Sequence, residues 1–337
     1  MQLESRLPSL RATVVIPTLA AGEALQECLD SLERQSVRDF EVVVVDNSGQ
    51  HLAPGGGSAR VIYNDRNAGF GAAVNQAIRA SVTPFVATLN DDAAAHPRWL
   101  ESLLNAIEAR YEIGMCASQV RLAGQGTLDS AGMLLCADGS SRQRGHGQPP
   151  ASFSSPQEVL LPSASAALYR RDMLDEIGLF DEAFFLYCED TDLGLRARWA
   201  GWECRYVPEA VVDHRYSHSA GRVSPLKAYY VERNRLFTAV KNFPLRWLLQ
   251  VPGFAAVRYF WHGVFALQGR GAAAGFHRAG HGAASLPLFV LRAHAELIRN
   301  LPGLWRQRKA IKRRLSSQQF EKLLRRNSIT PRQVAAL

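Results

Sequence analysis

The fold class this sequence predicts is an α/β domain built on a doubly wound, mostly parallel sheet, followed by a C-terminal helical region suited to membrane association. Three observations carry it. Apolar runs at 13–18, 41–47 and 85–89 end in polar residues, as strands covered on both faces do. Segments with helical periodicity fill the intervals between them. Composition changes sharply near 243, where the chain becomes apolar and aromatic and then basic, and this divides it into residues 1–242 and 243–337.

The elements follow in order. Thr13-Val14-Val15-Ile16 is a short buried strand stopped by Pro17-Thr18, and Leu25, Cys28, Leu29 and Leu32 share one helical face over 22–35. Val42 to Val45 form a second strand ending in Asp46-Asn47; a Gly-rich turn, Gly55 to Gly57, leads to a third at 60–64. A helix over 71–80 precedes the strand 85–89, which ends in Asn90-Asp91-Asp92. In such sheets ligands bind beyond the carboxyl ends of the strands, so Thr18, Asp46 and Asn90 to Asp92 are expected to converge on one crevice.

His96-Pro97-Arg98-Trp99 opens a further helix, and 115–120 reads as another strand. Residues 121–162, rich in Gly, Ser and Pro, form a hairpin-bearing excursion with no legible role. A helix over 172–178 ends at Gly178. Residues 202–207 are a strand closed by Pro208, 211–214 are extended, and 226–242 are an amphipathic helix containing Arg233-Asn234-Arg235.

The most informative stretch is Phe184-Phe185-Leu186-Tyr187-Cys188-Glu189-Asp190-Thr191-Asp192. Three carboxylates crowd into four residues, where like charges raise one another's pKa and a fold gains little from the crowding. Asp190 and Glu189 are therefore the candidate proton-transfer groups. The bland alternative is a helix start whose acidic residues face the positive end of its dipole. Asp91 and Asp92 offer the hard oxygen ligands that Mg²⁺ or Mn²⁺ prefers, and His214 would complement Asp92 as a ligand; the rival readings are a helix cap and a structural histidine. Asn67-Ala68-Gly69-Phe70-Gly71 opens a helix and could cradle a phosphate, but it fails as a dinucleotide fingerprint because Val74 stands where a third glycine belongs.

The ordered set Val15-Ile16-Pro17-Thr18, Val44-Val45-Asp46-Asn47, Asn67-Ala68-Gly69-Phe70-Gly71, Leu89-Asn90-Asp91-Asp92, Gly178 to Phe185, Glu189-Asp190-Thr191-Asp192 and His214 resembles family 2 glycosyltransferases of the GT-A fold, nearest their rhamnosyltransferase-like branch. The resemblance spans roughly 11–242 and implies roles for these positions. Pro17, Thr18 and Asp46 would hold the nucleoside of a sugar nucleotide, with Asn67, Gly69, Asn90 and Asp91 around the donor. Asp92 and His214 would hold the divalent metal. Asp190 would be the catalytic base with Glu189 beside it. Two positions depart from the pattern: Asn90 replaces the first acid of the DXD-type motif, and Ala20 stands where relatives often carry Asn. The implied activity is inverting transfer of a sugar, best guess rhamnose, from a nucleotide diphosphate to a saccharide or lipid-linked saccharide in cell-surface polysaccharide synthesis.

Composition bounds the rest. The 337 residues carry a net charge of +8, yet 292–332 alone holds twelve Lys/Arg against two Asp/Glu, so the basicity belongs to a tail. That tail follows apolar runs at 254–267 and 286–304, neither uninterrupted for the ~18 residues of a spanning helix. Interfacial helices with Arg306, Arg308, Lys309, Lys312, Arg313 and Arg314 on anionic headgroups are expected. Five unpaired cysteines and an N-terminus bearing Glu4 and Arg6 point to a cytoplasmic protein, peripheral at the inner face of the membrane. The competing classes are a non-catalytic nucleotide-sugar or glycan-binding module and a basic-tailed nucleic-acid binder. The second is disfavoured because no aromatic platform interleaves the charges.

Overall fold

The computed structural model describes residues 10–55, 57–215, 224–282 and 285–336. Glu4, Arg6 and Gly56 lie outside the described residues. The first half holds β1 (Ala12–Thr18), α1 (Glu23–Glu33), β2 (Phe40–Asp46), β3 (Arg60–Tyr63), α2 (Phe70–Arg79), β4 (Phe85–Leu89), β5 (Ala93–Ala95), α3 (Trp99–Glu108) and β6 (Ile113–Leu122). The excursion carries β7 (Leu128–Ser130), β8 (Met133–Leu135), β9 (Ser141–Gln143) and β10 (Gln157–Val159). Then come β11 (Ala166–Arg170), α4 (Arg171–Ile177), α5 (Glu189–Trp199), β12 (Glu203–His214) and α6 (Pro225–Asn242). Helices α7 (Leu245–Leu248), α8 (Val251–Leu267), α9 (Gly271–Arg278), α10 (Ser285–Ala310), α11 (Ser317–Arg326) and α12 (Pro331–Ala336) complete the chain.

One sheet runs β10-β12-β6-β11-β4-β1-β2-β3. Strands β3, β2, β1 and β4 are mutually parallel, as are β6 and β12, while β11 inserts antiparallel between β4 and β6. Because side chains alternate across a strand, Val14 and Ile16 of β1 enter one core with Leu25, Leu32, Leu100 and Leu104, whereas Val15 enters the other with Val74, Ile78 and Leu193. The near-continuous apolar runs in the sequence are the consequence of this two-sided burial.

Residues 202–214 correct the expectation of a strand closed by Pro208. β12 continues through that proline, and its pairing with β6 shifts register between Val207 and Val211. A bulge spares a ladder hydrogen bond at the residue that lacks an N–H, so proline is tolerated without ending the strand.

The basic tail is also less solvated than its composition suggests. Arg308 is buried and donates to the carbonyl oxygen of Val240 at 2.8 Å, Arg314 pairs with Glu176 at 2.7 Å, and Arg313 lies 5.1 Å over the Trp199 ring. The rings of Phe320 and Trp199 stack at 3.8 Å. Much of the tail's charge therefore fastens the last helices to the α/β unit, and of the six cations expected at headgroups Arg306 and Lys309 remain on the exposed face of α10 without an ion-pair partner among the described residues. No helix among the described residues is long and apolar enough to cross a membrane.

Candidate active site

Beyond the carboxyl ends of β1 and β4 opens a cavity of about 320 Å³. Its wall gathers Pro17, Thr18, Asn67, Gly69, Asn90, Asp91, Asp92, Glu189, Asp190 and His214, residues scattered over two hundred positions of sequence. Asp46 stands apart from them. Its carboxylate is fully buried and accepts hydrogen bonds from the backbone N–H groups of Ser48 at 2.9 Å and Ala53 at 2.8 Å. Burial alone would raise its pKa, but these bonds hold it below the usual carboxylate value. Asp46 thus orders the loop beside the crevice rather than facing into it.

The Gly-rich loop is likewise spoken for. The N–H groups of Ala68, Gly69 and Phe70 donate to the Asn47 side-chain oxygen, the Asn67 side-chain oxygen and the Phe185 carbonyl, at 3.0, 2.9 and 2.8 Å. This corrects the expectation of a phosphate cradle at the start of α2, since those donors already have acceptors. Gly69 is required for another reason: its φ is +90°, and a Cβ there would collide with the carbonyl oxygen of Phe185. The loop is a seat for residues 184–188.

Those residues are strained. Phe185, Tyr187 and Cys188 all have positive φ (63°, 70° and 65°), a conformation that costs non-glycine residues on the order of 1–2 kcal/mol each. Asn234 of α6 holds them there: its Nδ2 donates to the carbonyls of Phe184, Leu186 and Tyr187 at 2.9, 2.8 and 2.7 Å. Arg233 adds donors to Ala183 and Phe184. The strained turn launches α5 so that Glu189 and Asp190 meet the cavity at its first turn.

The three carboxylates then part company. Asp190 accepts from the N–H of Thr191 at 2.6 Å and of Ala164 at 3.3 Å, and from the Thr191 hydroxyl at 3.2 Å. Burial nevertheless pushes its pKa up. Glu189 is pushed further, to about 8, by burial and then by the Asp190 charge, and its Oε2 is buried without a hydrogen-bond partner. The pair keeps one proton near neutrality, and the hydrogen bonds favour Asp190 as the ionised member. A carboxylate so placed can accept a proton from a bound hydroxyl. Asp192 corrects the idea that this crowding serves no structural end. It is fully buried; burial would raise it, but Lys241 and Arg196, each 2.9 Å away, bring it down to about 2 and tie α5 to α6.

Asp92 and His214 meet at the other functional end, with Oδ1 3.0 Å from Nε2. His214 Nδ1 lies 2.9 Å from Asp129, whose carboxylate also engages His146. Burial opposes the imidazolium, yet Asp129 and Asp92 raise its pKa to about 9. Asp91 is held by the Thr18 hydroxyl at 2.7 Å. This donor set fits a hard divalent cation: two ligands at about 2.1 Å in adjacent octahedral positions lie about 3 Å apart, and an outer carboxylate on Nδ1 leaves Nε2 to face the metal. Among the described residues no group of three or more His, Cys, Asp or Glu forms a metal-holding cluster, so any protein ligation here rests on Asp92 and His214.

Asp129, Asn234, Arg142 and Lys227 were not foreseen as parts of the site. Asp129 and Arg142 sit in the excursion, where short irregular strands leave no period to read. Asn234 had one signal, an uncharged polar residue in the middle of an amphipathic helix.

The architecture is that of the GT-A fold. A crystal structure of GalNAc-T7 with UDP, GalNAc and Mn²⁺ shares the fold at a TM-score of 0.56 and 16% identity, over 69% of this chain and 48% of that one, so this chain spans about half its length. The sequence model described as Glycosyl transferase family 2 matches residues 13–178. An N-acetylglucosaminyl-diphospho-decaprenol L-rhamnosyltransferase of Mycobacterium tuberculosis is 30% identical over 272 residues, 70% of this chain and 88% of that protein. The uncharacterized glycosyltransferase YwdF of Bacillus subtilis is 25% identical over 221 residues, 64% and 78% of the two chains. The chain belongs to the family 2 glycosyltransferases and is rhamnosyltransferase-like.

Proposed function

We propose that this glycosyltransferase moves rhamnose, with inversion, from deoxythymidine diphosphate rhamnose to a lipid-linked saccharide, and that it does so with Mn²⁺ or Mg²⁺ at an anionic membrane surface on the cytoplasmic side. The similarity to the mycobacterial rhamnosyltransferase, along nearly all of that protein's length, is the observation that carries the substrate reading. The geometry supports the mechanism, because a candidate base and a candidate metal pair line one cavity.

In this mechanism Pro17 and Thr18 flank the nucleoside, and the loop ordered by Asp46 closes against the base. Asp92 and His214 would hold the divalent cation, which would supply positive charge against the departing diphosphate. Asp190 accepts the proton of the acceptor hydroxyl as that oxygen bonds to the anomeric carbon; the carbon–oxygen bond to the diphosphate breaks on the opposite face. Glu189, protonated, keeps a second negative charge away from the incoming oxygen. One displacement inverts the centre, and no covalent nucleophile is needed.

Outside the cavity, Leu245, Phe260, Leu267, Leu288, Leu291 and Ile298 are exposed on α7, α8 and α10, and Leu249 is exposed between α7 and α8. With Arg306 and Lys309 they support contact with an anionic bilayer surface. The donor reading is tested by thermal stabilisation of the purified chain with Mn²⁺ and a panel of sugar nucleotides. Stabilisation by deoxythymidine diphosphate rhamnose above uridine and guanosine counterparts is expected; preference for another donor sugar overturns it.

A further inference from the structure

One helix of the C-terminal region reaches toward the cavity through buried charge. Arg258 on α8 is buried; it donates through Nε to the Asp138 carboxylate and, at 2.8 Å, to Glu232 of α6. Arg235 of α6 is fully buried and donates to the Asp138 backbone carbonyl at 2.9 Å, to Glu232, and to the Tyr259 hydroxyl at 2.8 Å. Two guanidinium groups thus face two carboxylates. Burial would raise both carboxyl pKa values, but Arg258 and Arg235 hold Asp138 below the usual carboxylate value and Arg235 and Arg258 bring Glu232 to about 2, so the four charges cancel. Such a cluster locks together the elements that carry it, because removing one member strands its partners.

The element locked to α6 and α8 is the turn between β8 and β9. Asp138 accepts from the N–H and the hydroxyl of Ser140 at 3.0 and 3.1 Å, and Gly139 lies so close to α6 that a Cβ there would collide with the Arg235 carbonyl oxygen. β9 then begins at Ser141, which lies opposite Leu135 in the hairpin and accepts from the Thr191 hydroxyl at 3.0 Å. Thr191 in turn donates its N–H to Asp190 at 2.6 Å. Ser141, Arg142 and Gln143 all line the cavity. The match to the family model ends at residue 178, and α8 lies in the stretch whose composition reads as a membrane tail.

We propose that α8 belongs to the framework of the active site: Arg258 is a positioning residue that seats the β8–β9 hairpin through Asp138, and the hairpin in turn holds the first turn of α5 and the side of the cavity where the acceptor meets Asp190. This rests on the function proposed above in taking Asp190 as the base. It gives a second duty to a helix whose outer face carries Phe260 and Leu267. The donor side does not share the dependence, because Thr18 and Asn90 to Asp92 close β1 and β4, in a sheet separate from the hairpin.

Arg258→Met breaks the tie but also strands the Asp138 charge, which lowers stability for that reason alone. Combining it with Asp138→Asn removes one charge of each sign, leaves Glu232 with Arg235 and keeps an acceptor oxygen for Ser140, so the melting temperature of the double variant should return toward wild type. Amide hydrogen exchange of the full chain then reads the positioning without any substrate. In the double variant exchange should rise about tenfold over 138–143 and over 189–192 and stay unchanged over 85–92. Wild-type exchange at 189–192 overturns the proposal. Should that variant not fold, Arg258→Lys decides by the same readout, since it keeps the charge and loses the fork that joins Asp138 to Glu232. In transfer assays the double variant should lose about tenfold in kcat/KM for the acceptor while binding deoxythymidine diphosphate with Mn²⁺ as wild type does. Transfer that recovers together with the melting temperature overturns the proposal, because Arg258 then serves stability alone; loss of nucleoside diphosphate binding overturns it too. Failure of the rhamnosyl reading is distinguishable, since it appears as absence of product from wild type and leaves the exchange result to decide.

Discussion

Asn234→Ala should uncouple the active-site turn from the rest of the fold, and the size of the effect follows from three distances. One side-chain amide has two hydrogens, yet it faces carbonyls at 2.9, 2.8 and 2.7 Å, so at least one hydrogen is shared. Arg233 donates to the Asn234 Oδ1 at 2.8 Å and thereby fixes which end of the amide meets the turn. Asn234 is fully buried, so its removal strands carbonyls away from water at about 1–3 kcal/mol and releases a turn that stores positive-φ strain at three residues. A loss of about 3 kcal/mol corresponds to a fall in melting temperature on the order of 5 °C. A displacement of Asp190 of about 1 Å would lower kcat about a hundredfold. Asn234→Asp provides the control, because it keeps the size but turns an acceptor toward three acceptors, and should be less stable than the alanine variant. Thermal melts and steady-state transfer assays on both variants measure this. Wild-type kcat in both, with the aspartate variant as stable as the alanine one, would refute the claim that Asn234 holds the turn.

Gly69→Ala should lower stability by about 2–4 kcal/mol and impair transfer, because both the positive φ and the Phe185 carbonyl oppose a Cβ; melts and activity of the variant measure it. Glu189→Gln should retain kcat within a few fold, since Glu189 is already neutral near pH 7. The same variant has a stability signature: a carboxyl whose folded pKa is raised contributes stability that is full below its unfolded pKa of about 4.5 and is lost as pH rises through about 8. Melts of wild type should therefore decline relative to Glu189→Gln between those values, and parallel curves would contradict the assigned protonation. Replacing Phe260, Leu267 and Leu291 together by Ser should release the chain from anionic liposomes in co-sedimentation without lowering its melting temperature, and unchanged retention would exclude that face as the bilayer contact.

What was legible in the sequence was what periodicity and motif order encode. Val14 to Ile16, Val42 to Val45 and Phe85 to Leu89 announce buried strands because both sheet faces are covered, and their ends locate Thr18 and Asn90 to Asp92. Asp190 and His214 were singled out by type and order, and the structure lines one cavity with both. Asp46 and Asp192 show the limit of residue type: one is consumed by the N–H groups of Ser48 and Ala53, the other by Lys241 and Arg196, and such partners are chosen by packing between distant segments. The excursion at 121–162 stayed opaque for the same reason, although it delivers Asp129 and Arg142. The tail misled through composition, since Arg308, Arg313 and Arg314 look like solvent charges but bind carbonyl, ring and carboxylate partners. Truncation after Asn242 would therefore expose Trp199 as well as remove the face proposed to meet a bilayer, which is why point substitutions make the better test.

The anomeric configuration of the product tests the central claim most directly. With deoxythymidine diphosphate rhamnose, Mn²⁺ and an N-acetylglucosaminyl lipid diphosphate as acceptor, proton NMR of the product should show the configuration opposite to that of the donor, and Asp190→Asn should form none while binding the donor normally. A product with retained configuration, or near-normal turnover by Asp190→Asn, would contradict a single displacement driven by Asp190.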